Sequence, residues 1–224
     1  MTEFIRQNLL YFILGGAVLL AALIIAAAAA LRRHKIKKLG LEGEKKVAKA
    51  LRKFAGIRSY KVINDLYLPL YDKTTQIDHV LIGFFGILVI ETKNLGGEIY
   101  GDPKNKEWTH IIGGKKHPLY NPLMQNQAHI DCIRHLLGKE NLYNVPIESL
   151  VVFTKRKVEL FVPNKLPIIK YKKLKRFLHQ SRFQEDKGFD VEKHYAALLK
   201  YQVTDPKLLA AHNRNVKIMA KNNK

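Results

Sequence analysis

The sequence predicts an α/β domain built on a mixed β-sheet and preceded by one transmembrane helix. Three observations carry this expectation. Residues 9–31 run without a single charge. The stretch QIDHVLIGFFGILVIETK, residues 76–93, has the pattern of two apolar strands joined by a tight turn. Around it, helical periodicity and strand-like runs follow in the order helix, several strands, helix, strand, helix, as in a layered α/β domain.

The N-terminal element comes first. The uncharged run is 23 residues long, and a helix of about 20 crosses the hydrocarbon core of a bilayer. RRHKIKK follows at 32–38, whereas Arg6 and Glu3 offset one another before the run. The positive-inside rule then puts the C-terminal side in the cytoplasm, as a single-pass protein of the cell membrane. The basic flank also suits anionic lipid headgroups. A cleaved signal peptide is the rival reading. Its apolar core is shorter, about 7–15 residues, and follows a basic segment. The expected division is a short non-cytoplasmic tail at 1–7, a transmembrane helix at 8–31, a basic linker at 32–40, a folded domain at 41–180 and a basic, partly helical tail at 181–224.

In the folded part, Val47, Ala50, Leu51 and Phe54 recur at helical spacing, with Gly56 as a stop. Glu44 lies on the same side as that apolar stripe, three residues before Val47. YKVINDLYLPL at 60–70 is β-prone. After the hairpin, glycine pairs and turn signals bracket short strands near 98–101 and 107–112. A helix is expected at 125–137, a buried strand at 148–154, then a short strand running into the basic helix of IIKYKKLKRFL. Asp205 and Pro206 form a cap-and-start signal for a last helix.

Composition narrows the partners. Of 224 residues, 39 are Lys or Arg and 19 Asp or Glu, a net charge of +20 that draws polyanions such as nucleic acid or anionic lipid. A solvated basic surface without a specific partner is the plain alternative. The single cysteine, Cys132, excludes an intramolecular disulfide and cysteine-based zinc clusters. GGKK at 113–116 lacks the spacing of a phosphate-binding P-loop.

The hairpin carries the chemistry. If its GFFG turn is symmetric, facing residues have numbers summing to 169. Asp78 then faces Glu91 and Gln76 faces Lys93, all four on one side of the ribbon. Like charges opposed across strands repel, so unless one carboxylate is protonated a cation is expected between the acids. Two arrangements satisfy this. A hard divalent ion can sit on the carboxylates, with Glu44 as a third. Alternatively, Lys93 neutralises the acids in an ordinary ion-pair cluster. Gln125 and His129 share one helix face and either touch substrate or support the sheet. His79 points to the other side, which favours packing. Cys132 and His135 are too few ligands for structural zinc.

GE at 43–44, QIDHVLIG at 76–83, GILVIETKN at 86–94, the glycine-rich segment with Trp108, and NPLMQNQAHI at 121–130 resemble a NERD, or nuclease-related, domain over about 41–177. That family resembles the PD-(D/E)xK phosphodiesterases. The resemblance implies a restriction-endonuclease-like mixed sheet flanked by helices and a Mg²⁺ (or Mn²⁺) site. Carried over, Glu44 is the helix acid, Asp78 the first strand acid, Glu91 and Lys93 the E-x-K pair, and Gln76 the glutamine of a Q-x-D variant. Ile77 stands where the namesake motif has proline. The implied function is Mg²⁺-dependent hydrolysis of DNA or RNA at the membrane. Lys115, Lys116, Lys172, Lys173, Lys175 and Arg176 are expected to meet its phosphates. The alternative is a membrane-tethered module that binds nucleic acid, lipid or protein without cutting.

Overall fold

A computed structural model describes residues 2–71 and 73–222. The chain forms two compact units, 1–42 and 43–224. Helix α1 (Thr2–Ala55) supplies the first and opens the second. Within the first unit, Ile13–Arg32 has a mean hydropathy of 2.6 and buries none of its surface. It is the one helix among the described residues long and apolar enough to cross a membrane.

The second unit is a mixed α/β domain with two mixed sheets flanked by helices. Its strands are β1 (Lys61–Leu70), β2 (Lys73–Gly83), β3 (Gly86–Lys93), β4 (Gly97–Tyr100), β5 (Glu107–Ile112), β6 (Lys115–Tyr120), β7 (Ile147–Phe153), β8 (Val158–Phe161) and β9 (Ile168–Lys170). Its further helices are α2 (Pro122–Lys139), α3 (Leu174–Leu178), α4 (Val191–Lys200) and α5 (Pro206–Asn222).

The larger sheet has the order β1-β2-β3-β7-β9, antiparallel as far as β3 and parallel beyond it. The central β3 is apolar from Gly86 to Ile90 because helices cover both of its faces, and polar only at its end, Glu91–Lys93. Val80, Ile82, Ile87 and Val89 pack against Ile130, Ile133 and Leu137 of α2. Leu81, Leu88 and Ile90 pack on the opposite side against Val47, Leu51 and Phe54 of α1. The smaller sheet, β6-β5-β4-β8, closes over the larger one through Ile99, Trp108 and Val158, which meet Val151 and Phe153.

Several elements depart from the sequence expectations. β6 and β8 appear where only turns and polar residues were legible. Residues 181–200, expected to open a tail, deliver Phe183, Val191 and Leu198 to the cores. Helix α5 is tied to β2 by His212 Nδ1, 2.8 Å from the Thr74 carbonyl oxygen.

The hairpin register is the expected one, from Gly83↔Gly86 to His79↔Ile90. There the ladder stops. Beyond it, β2 stays with β1 as far as Lys73, while β3 stays with β7 as far as Lys93. The two strands fork. The expected facing of Gln76 by Lys93 is therefore absent, and Asp78 and Glu91 are not a ladder pair.

Candidate active site

The fork gathers the acids. Asp78 sits at its crotch, where Oδ2 accepts the Thr92 backbone N–H at 2.8 Å, in place of a ladder bond. Glu91, one residue earlier on β3, is buried on the α2 side of the sheet, like Val89 and Ile87. Lys93 lies two residues further on the same face, with Nζ 2.7 Å from Glu91 Oε1. The ammonium also donates to Gln125 Oε1 on α2 at 2.8 Å. Gln125 thus takes the supporting position.

Glu44 reaches the same region from α1. The turn before it has to be thin: a Cβ on Gly43 would stand 2.7 Å from both Asn94 Cβ and Thr154 Oγ1. Glycine therefore lets α1 close on the ends of β3 and β7, and Glu44, the next residue, lies within electrostatic reach of Asp65, Glu91 and Lys93.

The electrostatics are uneven. Burial raises the Asp78 carboxyl well above its ordinary range, the Glu91 charge adds to this, and the Thr92 N–H opposes it. Glu44 is raised by burial, then by the charges of Asp65 and Glu91. Burial pushes Glu91 upward too, but Lys93 and His129 override it and bring the group down to about 2. Burial pulls Lys93 downward, but Glu91, Asp78 and Glu44 together hold it above its ordinary value. One acid is thus compensated, whereas Asp78 and Glu44 are pushed toward their neutral forms, with Lys93 offsetting only part of the effect.

Two residues enter that the sequence did not single out. Asp65 interrupts the β1–β2 ladder between Asn64↔His79 and Leu66↔Ile77, which puts it across from Asp78. The register is the same on both sides of it, so no residue is inserted, and its φ of 56° turns the backbone locally out of the ladder. Gln76 Nε2 donates to Asp65 Oδ1 at 2.6 Å, so Gln76 supports this acid instead of facing Lys93. Asn126 is buried one residue after Gln125 and pins α2 to the sheet, donating to the Val89 carbonyl and to Ser149 Oγ at 3.0 and 2.7 Å. A polar side chain at that position is all the sequence offered, since its partners are remote in the chain.

His79 packs as expected: it is buried, 2.8 Å from Asn64 Oδ1, and burial lowers its pKa to about 4. Cys132 is buried too, and burial raises its thiol to about 11, which leaves it inert. The basic residues fall into two patches. Lys115 and Lys116 open the edge strand β6, whereas Lys172, Lys173, Lys175 and Arg176 follow β9. Lys172 and Lys173 line an open cleft of about 440 Å³ together with Lys165 and Lys170. Among the described residues, no three His, Cys, Asp or Glu side chains stand at metal-ligating spacing.

The domain thus carries an acid at a strand fork, an E-x-K on the neighbouring strand and an acid on α1 within electrostatic reach of them. The profile of the nuclease-related domain matches residues 39–154, and the chain belongs to that family. The match ends at Thr154, short of the expected 177. An uncharacterised protein of Bacillus anthracis is 37% identical over 123 residues, which are 55% of this chain and 56% of that protein. The chain thus spans little more than half of that relative's length. No solved structure matches the chain significantly.

Proposed function

We propose that the domain is a metal-dependent nuclease that hydrolyses phosphodiester bonds of DNA or RNA, anchored in the cell membrane with its catalytic unit in the cytoplasm. The observation that carries this is the fork, which brings Asp78 and Glu91 to one buried spot beside Lys93 and leaves Asp78 and Glu44 short of positive charge. The donor chemistry supports Mg²⁺ or Mn²⁺: the oxygens are carboxylate, and Asp78 and Glu44 are crowded by like charge that a cation relieves. Mg²⁺ commonly takes one or two protein carboxylates and fills its shell with water and substrate phosphate, so three preset ligands are not required. Asp78, Glu91 and Glu44 would hold the ion. When bound, it polarises the phosphate and acidifies a water. Lys93 balances the charge that develops on the phosphate, and Gln125 aims it. The two basic patches neutralise flanking phosphates.

The test uses the full chain in detergent with labelled DNA and RNA, with Mg²⁺, with Mn²⁺ and with chelator. Cleavage should need the ion and fall at least about 100-fold in Lys93→Ala, and Asp78→Ala should be inactive. Undiminished cleavage in both variants would remove these residues from the chemistry.

A second reading is a binding module without turnover. The closed Glu91–Lys93 ion pair favours it, because the ammonium already satisfies one of the acids. It predicts nucleic-acid retention that survives loss of Asp78 and Glu91 and weakens with salt, with no ion-dependent cleavage.

A further inference from the structure

Helix α2 meets the E-x-K strand with two side chains one turn apart. Gln125 accepts from Lys93, and His129 presents Nε2 3.4 Å from Glu91 Oε2. Glu91 thus has Lys93 at one oxygen and His129 at the other. Both Glu91 Oε2 and His129 Nε2 are buried and make no hydrogen bond elsewhere. The far side of the imidazole is engaged, with Nδ1 3.0 Å from Thr75 Oγ1.

These neighbours decide where the proton sits. An ionised carboxylate can only accept, so the contact is favourable when Nε2 carries the hydrogen. A neutral ring then has Nδ1 as acceptor, and the Thr75 hydroxyl donates to it. The order is Thr75 O–H to Nδ1, then Nε2–H to Glu91. At 3.4 Å the last link is longer than a formed charge-assisted bond of about 2.7–2.9 Å. Catalytic hydrogen bonds are often long before substrate arrives and tighten afterwards.

We propose that Thr75 and His129 form a positioning relay that orients Glu91 and keeps a donor on it while Lys93 turns to the reacting phosphate. This rests on Glu91 being an ion-holding carboxylate. The ammonium has three donors and already serves Glu91 and Gln125, but a swing of Lys93 toward the phosphate lengthens its contact with Glu91, and a buried carboxylate stripped of every partner is costly. With His129 fixed at Oε2, Oε1 is free to open toward the ion without loss of the side chain's orientation. In this relay His129 acts through Glu91 and does not touch substrate.

Two measurements on the full chain in detergent micelles test it. The first is metal-free: ¹⁵N spectra of histidine-labelled protein, with the His129 signal assigned by its loss in His129→Gln. The expected ring is the Nε2–H tautomer, with its Nδ1 signal displaced in Thr75→Val. An Nδ1–H ring overturns the relay. The second is Mn²⁺ affinity, read from the spin resonance of the free ion. His129→Leu should weaken it about 10–100-fold. His129→Gln, which keeps a donor near Nε2, should recover most of the loss. Equal affinity in wild type and a folded His129→Leu overturns the proposal. A wild-type chain that binds no Mn²⁺ overturns the ion reading and the relay's role with it, whereas an Nδ1–H ring in a chain that binds Mn²⁺ overturns the relay alone.

Discussion

Asp78 is the residue on which function and stability pull apart. Its native pKa lies well above the ordinary 3.8, first through burial and then through Glu91. Between those two values the native state holds a proton that the unfolded chain has lost. Stability therefore falls as pH rises through that window. At neutral pH the ionised group is a liability unless a cation joins it. Asp78→Asn, which can still accept from Thr92, is expected to melt a few degrees higher than wild type at pH 7.5 in chelator and to lose cleavage. A lower melting temperature would refute the electrostatic account. Glu91 behaves oppositely: its contribution is complete above about pH 4.5 and is lost as pH falls toward about 2.

At the scale of elements, α1 and α2 position the site by different means. Helix α1 uses Gly43, since a methyl group there would press on Asn94 and Thr154, themselves joined by a 2.6 Å hydrogen bond. Gly43→Ala should cost about 1–3 kcal/mol in chemical denaturation, as overpacking does. It should also lower cleavage, because Glu44 is displaced with the helix. An unchanged unfolding midpoint would show that the strand ends yield freely. Helix α2 is held by Asn126, whose hydrogen bonds to β3 and β7 keep Gln125 at Lys93. The edge strand β6, KKHPLY, protects its outer rim with lysines and a proline, the means by which exposed edges avoid pairing with other chains. Those same residues hid it from a β-propensity reading.

For the whole molecule, the excess of positive charge makes an expected outcome quantitative. Replacing Lys172, Lys173, Lys175 and Arg176 together by Ala should weaken nucleic-acid binding at every sequence tested. It should also flatten the plot of log affinity against log salt by about 0.7–0.9 for each phosphate that is no longer neutralised. An unaltered slope would move the binding surface elsewhere. The apolar N-terminal helix has its own test. The full chain should remain with membranes through an alkaline wash, and removal of residues 1–31 should release it. Release of the intact chain by salt alone would mean surface attachment instead of a span.

Local features were legible from the residues alone. These are the uncharged run, the hairpin register down to His79 and Ile90, and the placement of Glu91 and Lys93 on one face. Each depends on a short period along one strand or helix and on charge, which are properties of neighbours in the chain. Where β2 leaves β3 was settled only by the fold, because that depends on the hold of β1 and β7, remote segments, on each strand. From that choice follow the hydrogen bond of Asp78 to Thr92, the separation of Gln76 from Lys93, and Asp65 opposite Asp78. The setting of His129 against Glu91 also required the fold, since helical spacing puts Gln125 and His129 on one face but cannot name the strand that face meets.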